Sequence, residues 1–343
     1  MQFRGLLLLP LLGISCAHLP FLGPSMEERQ RANGHFKNAD TFFRNQKLDQ
    51  SLQQVEKGLA LEPDHYLLNQ LRGRILLRKS RSDPAILEAS LQQFEKVLDL
   101  RSIKDHEYKT FVGLGEAHTG LYHHHLNQAR KLREEAKDPL LTQEERRARE
   151  REAKRHDRLF REHLGKAESS FRRLVSMGDG LQPALRFLFS IETDKALLVG
   201  EAEKPAQYAR AIEAGLAFLK LIQERRQHFE SWDIASNTVQ DEMMARRGLF
   251  EYRQRERECR SLLHQLYFHA GKPAKAVEQL DVLLAADPSS SVDYFNRARC
   301  YDDLGNTAKA VRDYRDFLRL TDQRFESPRV RQAREALLRL AKR

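Results

Sequence analysis

A four-residue string recurs letter for letter: Ala274-Lys275-Ala276-Val277 returns as Ala308-Lys309-Ala310-Val311, 34 residues later. At the same shift Tyr267 maps to Tyr301, Gly271 to Gly305, Leu280 to Tyr314, Leu283 to Phe317 and Pro288 to Asp322. A period of this length marks one supersecondary unit that cannot bury its apolar face alone, so neighbouring units must stack to make a core. The units are helical. Charged residues make up 31% of the chain, and runs rich in Val, Ile and Thr are nearly absent, which suits helices with one buried stripe and one wet face. The chain is predicted to be all-α.

Each repeated position has a mechanical reading. Tyr267 and Tyr301 are expected to face a partner helix. Gly271 and Gly305 let the chain leave the first helix in the left-handed conformation. The small Ala276 and Ala310 allow the second helix to approach the first closely, and Pro288 ends that second helix. In period and residue type this resembles the tetratricopeptide repeat, which implies an α-solenoid of helix pairs. The N-terminal segment fits the same frame: Phe42, Gln46, Ser51, Val55 and Pro63 stand at the spacings of Tyr267, Gly271, Ala276, Leu280 and Pro288. A looser unit follows, with Leu71 and Gly73 in its first helix and Ala89 or Ser90, Phe94 and Val97 in its second. A third unit opens with Phe111, Leu114 and Gly115.

The middle departs from the pattern. After Leu121 a charged stretch runs to His163, interrupted near Asp138-Pro139. It is predicted to be an elongated charged helical hairpin inserted in the third unit, with Ala167, Phe171 and Leu174 resuming the repeat. A long-helix pair is expected from Gln182 to Gln227, and another long helix from about Trp232 into Cys259. At the C-terminus Ser327-Pro328 reads as an N-cap followed by a first-turn proline. Val330, Ala333, Leu337 and Leu340 then form the stripe of a capping helix. The resulting division is 32–122 for N-terminal repeats, 123–165 for the hairpin, 166–255 for degenerate long-helix repeats, 256–326 for the C-terminal pair and 327–343 for the cap.

Residues 1–16 read MQFRGLLLLPLLGISC. Arg4 supplies a positive start, and Leu6 to Ile14 is too short an apolar stretch to cross a bilayer as a helix. It has the flanks of a secretory signal. With Gly13 and Ser15 leading to Cys16, the segment resembles a bacterial lipobox, with Gly13 where Leu is commoner. The resemblance implies a signal peptide over 1–15, acylation of Cys16 (diacylglycerol and palmitate-type chains) and a lipidated tether over 16–31. Two or more acyl chains give stable anchoring. Ala17 after the cysteine favours the outer membrane by the same resemblance, with the body facing the periplasm of the cell envelope.

Chemistry is scarce. The formal net charge is +10, yet Arg130 to Glu162 carries twelve Lys or Arg against nine Asp or Glu, the pattern of a solvated face. From Arg319 onward the balance is eight against three. No nucleic-acid motif accompanies the charge, and no nucleic-acid partner is expected. Cys259 and Cys300 lie in helical patterns, where cysteine acts as a small apolar residue. There is no hydrolase elbow, phosphate loop or dinucleotide fingerprint, so no catalytic residue and no cofactor are predicted. His118, His123, His124 and His125, with His156 and His163 at the far end of the hairpin, suggest a metal-binding or enzymatic alternative. Consecutive helical residues diverge, however, so these histidines are expected to be polar side chains on the surface at a helix end, with no metal. A second alternative is a basic protein binding nucleic acid or another anionic polymer. The preferred reading is a non-catalytic, lipid-anchored scaffold or assembly factor whose partner is an envelope protein or peptide segment. By resemblance, its groove residues would be Arg260, His264, Asn296 and Arg297.

Overall fold

The computed structural model describes residues 23–100, 107–178, 181–198, 200, 202–231, 238–321 and 327–342, and every regular element among them is a helix. The first five are α1 (Met26–Arg44), α2 (Leu48–Leu61), α3 (Tyr66–Lys79), α4 (Pro84–Asp99) and α5 (Glu107–Glu135). The long middle elements are α6 (Gln143–Met177), α7 (Leu181–Leu198), α8 (Lys204–Glu230) and α9 (Val239–His269). The chain then closes with α10 (Pro273–Ala286), α11 (Ser291–Asp303), α12 (Thr307–Leu320) and α13 (Pro328–Leu340). The signal segment, Cys16 and Trp232 lie outside the described residues. No described helix is long and apolar enough to cross a membrane.

Helix starts follow from local chemistry. Ser25 with Glu28, Thr142 with Glu145 and Thr238 with Asp241 each form a reciprocal cap, satisfying otherwise orphaned N–H groups at the starts of α1, α6 and α9. The Thr238 cap sets the start of the described α9 at Val239, later than the Trp232 expected from sequence.

Residues to Gly113 form one compact unit and those from Leu114 another. In the first unit, α1 runs antiparallel to α2 and α3 to α4. Their crossings are made by serines where the C-terminal repeat has alanines. Ser51 Oγ donates to the Ala39 carbonyl at 2.8 Å, and Ser90 Oγ to the Gly73 carbonyl at 2.9 Å. Of the two candidates, Ser90 is the buried one and Ala89 is exposed. The turn after α1 takes its left-handed residue from Gln46 (φ 59°), and that after α3 from Arg81 and Ser82. Phe94 is fully buried, its ring against the backbone of Gly73 and Gly113.

In the second unit, helices from α6 to α13 pack on their chain neighbours. On α6 the buried residues Ala153, Phe160, Leu164, Ala167, Phe171 and Leu174 recur at threes, fours and sevens, one stripe along a 35-residue helix. Phe171 stacks on Phe187 of α7 with centroids 4.6 Å apart, and its ring covers Gly115 of α5. Phe189, Ile222, Leu263 and Leu280 knit α7 to α10. The cap α13 buries Val330, Ala333, Ala336 and Leu340 against Phe295, Tyr314 and Phe317. Its stripe therefore passes through Ala336, which the sequence reading omitted, while Leu337 is half-buried.

Candidate functional site

The C-terminal repeat is built as its letters require. Gly271 (φ 68°) and Gly305 (φ 71°) both occupy the left-handed region, where an L side chain would be strained. Ala276 and Ala310 are completely buried. Tyr267 and Tyr301 are buried in the cores beneath them. Asp287 caps α10 and Pro288 follows it.

In architecture these helix pairs are tetratricopeptide-like.

No family model and no curated protein matches the chain. Among solved structures it is similar to the nuclear import adaptor Nro1 of S. pombe, at 14% identity and TM-score 0.43 over 91% of this chain and 98% of that one. A TPR2AB-domain:pHSP90 complex of yeast Sti1 aligns at 11% identity and TM-score 0.28, over 91% and 99% of the two chains. Yeast Tom70 aligns at 12% identity and TM-score 0.23, over 91% and 81%.

In these tetratricopeptide-type pairs the first helices, α9 and α11, together with α13, line a cavity of about 400 Å³. Its walls include His264 and Phe268 of α9, Asn296 and Arg299 of α11, and Arg329 and Gln332 of α13. A second hollow of about 440 Å³ shares Phe268, Phe295, Arg299 and Gln332, so the two run together as one groove. The Arg299 guanidinium lies 4.5 Å from the Phe268 ring centroid, a cation–π contact that holds the charge at the groove wall. His264 is buried, and its Nδ1 makes no hydrogen bond of normal geometry. Burial pushes its pKa below the usual imidazole value, against the pull of Asp293 and the Arg260 carbonyl.

The four groove candidates thus separate. His264 and Asn296 line the cavity. Arg260 instead binds Glu256 at 2.8 Å and Gln279 at 2.7 Å. Arg226 of α8 reaches the same carboxylate at 2.5 Å. Arg297 turns the other way, donating to Asp313 at 2.6 and 3.0 Å and to Asp281 at 2.7 Å. Arg299, Phe268 and Gln332 were not singled out in the sequence. Arg299 lies three residues after Asn296, one turn further along the same helical face.

A second cluster lies in the long hairpin. His118 Nδ1 stands 2.9 Å from His163 Nδ1, and His125 Nδ1 stands 2.9 Å from His156 Nδ1. Moving seven residues forward in α5 and seven back in α6 leads from one pair to the next, so four imidazoles form a ladder. The rings of His125 and His163 stack at 5.6 Å between the rungs. His118 and His125 are buried, and burial, then the neighbouring imidazoles, pushes both pKa values down to about 4. Of the consecutive histidines, His123 instead meets Asp194 of α7 at 3.4 Å. Among the described residues no group of three or more His, Cys, Asp or Glu is gathered round one point.

Cys259 and Cys300 are buried, and burial pushes both thiols up to about 12. A thiolate is the nucleophile. A rise from 9 to about 12 lowers its population at pH 8 by roughly a thousandfold. In a Cys16→Ala chain, neither thiol should react with a disulfide reagent until the protein is unfolded. Rapid labelling of the native protein at either position would contradict this.

Proposed function

We propose that this chain is a non-catalytic, lipid-anchored scaffold of the bacterial cell envelope, holding a segment of another protein in the groove over α9, α11 and α13. The observation that carries this reading is the groove itself: an apolar floor at Phe268 and Phe295 with a few convergent polar groups from His264, Asn296, Arg299 and Gln332 along its walls. An extended segment could lay its apolar side chains along the floor and direct a carboxylate or amide to His264, Asn296 and Arg299.

Photocrosslinking tests the docking surface. An amber-encoded benzophenone at Gln332 is expected to capture one envelope protein in the native host. The same probe at Arg225, exposed on α8, should not capture it. Identical adducts from both positions, or none from Gln332, would remove the groove from the account.

The anchor is proposed from Cys16 and the apolar stretch before it. Cys16→Ala is expected to move the protein from the membrane pellet to the soluble fraction with its helical circular dichroism unchanged. Continued sedimentation with membranes would defeat the lipidation claim and leave the groove untouched.

A further inference from the structure

We propose that the histidine ladder between α5 and α6 binds a borderline transition-metal ion, of the class Zn²⁺, Ni²⁺ or Cu²⁺, through the cross-helix pairs His118–His163 and His125–His156. Imidazole nitrogen is a preferred ligand for this class. With metal–nitrogen bonds of about 2.0–2.1 Å and tetrahedral angles, two ligand nitrogens stand about 3.3–3.4 Å apart. The Nδ1 atoms of each rung stand 2.9 Å apart, so a small outward turn of the rings makes room for an ion.

Without an ion, each rung places one Nδ1–H against one Nδ1 lone pair. To bind, the donor ring moves its proton to Nε2, and both Nδ1 lone pairs turn to the metal. Both rings stay neutral, and no proton leaves the pair. Each rung then supplies two ligands, and water completes the coordination shell. His156 and His163 are only partly buried, which leaves α6 as the side of entry.

The charges around the ladder are neutralised within their own pairs, so neither Arg155 nor Lys166 stands there as a lone positive charge against a cation. On α6, Glu152 lies 3.7 Å from His156 Nε2 and also accepts from Arg155 at 3.2 Å. Glu162 and Lys166, the charged neighbours of His118, bind each other at 2.7 Å. On α5, Arg133 is taken up by Asp157 of α6. From α7, Asp194 accepts from Tyr122 at 2.7 Å and faces His123. A carboxylate beside the distal nitrogen of a ligand histidine fixes its tautomer and raises its basicity, and Glu152 stands in that place for His156.

The experiment uses the full chain, stripped with chelator and titrated at pH 7.5 with NiCl₂ or ZnCl₂ alone by calorimetry. Up to two ions per chain are expected, one per rung. His125→Asn/His156→Asn and His118→Asn/His163→Asn should each weaken one binding step at least tenfold. His228→Asn on α8 should change nothing. Electron paramagnetic resonance of the Cu²⁺-loaded wild-type chain provides a reading that needs no variant, and imidazole nitrogen coupling is expected. Absence of binding by the wild-type chain, binding that survives in the fourfold variant, or a Cu²⁺ spectrum without imidazole coupling would each overturn the proposal.

Discussion

Arg297→Met is expected to destabilise the C-terminal repeat by about 3–5 kcal/mol in urea denaturation, the range for stripping one partner from a buried ion pair. Asp313 is fully buried and takes two hydrogen bonds from the Arg297 guanidinium. Once Arg297 is gone, the other cation facing it among the described residues is Arg312, 3.7 Å away on a largely exposed side chain. An exposed arginine at that distance is a weak, screened partner. The loss therefore comes mainly from the stranded carboxylate. Arg297→Met combined with Asp313→Leu should recover at least half of it, because well-packed apolar residues replace buried pairs at little cost. If the single substitution cost under about 1 kcal/mol, Asp313 would have to find water or a new donor that the present packing does not provide.

Phe94→Ala should cost the N-terminal unit about 3–5 kcal/mol, as removal of a buried ring leaves a cavity that neighbours fill only in part. A sharper test lies in the glycines beneath that ring. A Cβ on Gly113 would meet Phe94 Cζ at 2.2 Å, and one on Gly73 would meet the ring at 2.9 Å. Both glycines sit inside helices, where alanine is ordinarily better by about 1 kcal/mol. Gly113→Ala is therefore expected to destabilise the wild-type chain and to stabilise the Phe94→Ala chain. A double-mutant cycle by urea denaturation reads that change of sign. The same sign in both backgrounds would mean that the ring can move aside freely.

The terminal pairs were legible because their turns and crossings are written in residues with narrow uses. Glycine at a left-handed turn and alanine at a tight crossing leave few alternatives, and Gly271, Gly305, Ala276 and Ala310 occupy those places. The N-terminal unit was harder to read because its turn falls on Gln46 and its crossing on Ser51. Both perform the same tasks with side chains that have many other uses. Arg297 was placed in the groove by analogy of position, whereas its partners Asp281 and Asp313 lie sixteen residues away on either side. Such a pairing is decided by packing rather than by any local signal. The histidine ladder was partly visible: the sevenfold spacing of His118 and His125, and of His156 and His163, was present in the letters. What sequence inspection lacked was the register of α5 against α6 across the turn near Asp138. Of the three consecutive histidines only His125 joins the ladder, because its neighbours on the helix point elsewhere.

The two serine crossings have a mechanical consequence. A hydroxyl gripping the facing carbonyl works as a rivet, bonding the crossing of α1 with α2, and of α3 with α4, in one direction and at one depth. Alanine in the corresponding places of α10 and α12 makes no bond of its own, and there the directional grip comes from side chains beside the crossing: Arg260 to Gln279 between α9 and α10, and Arg297 to Asp313 between α11 and α12. The N-terminal pairs are thus pinned side chain to backbone at the crossing itself, and the C-terminal pairs by longer arginine arms that reach across it.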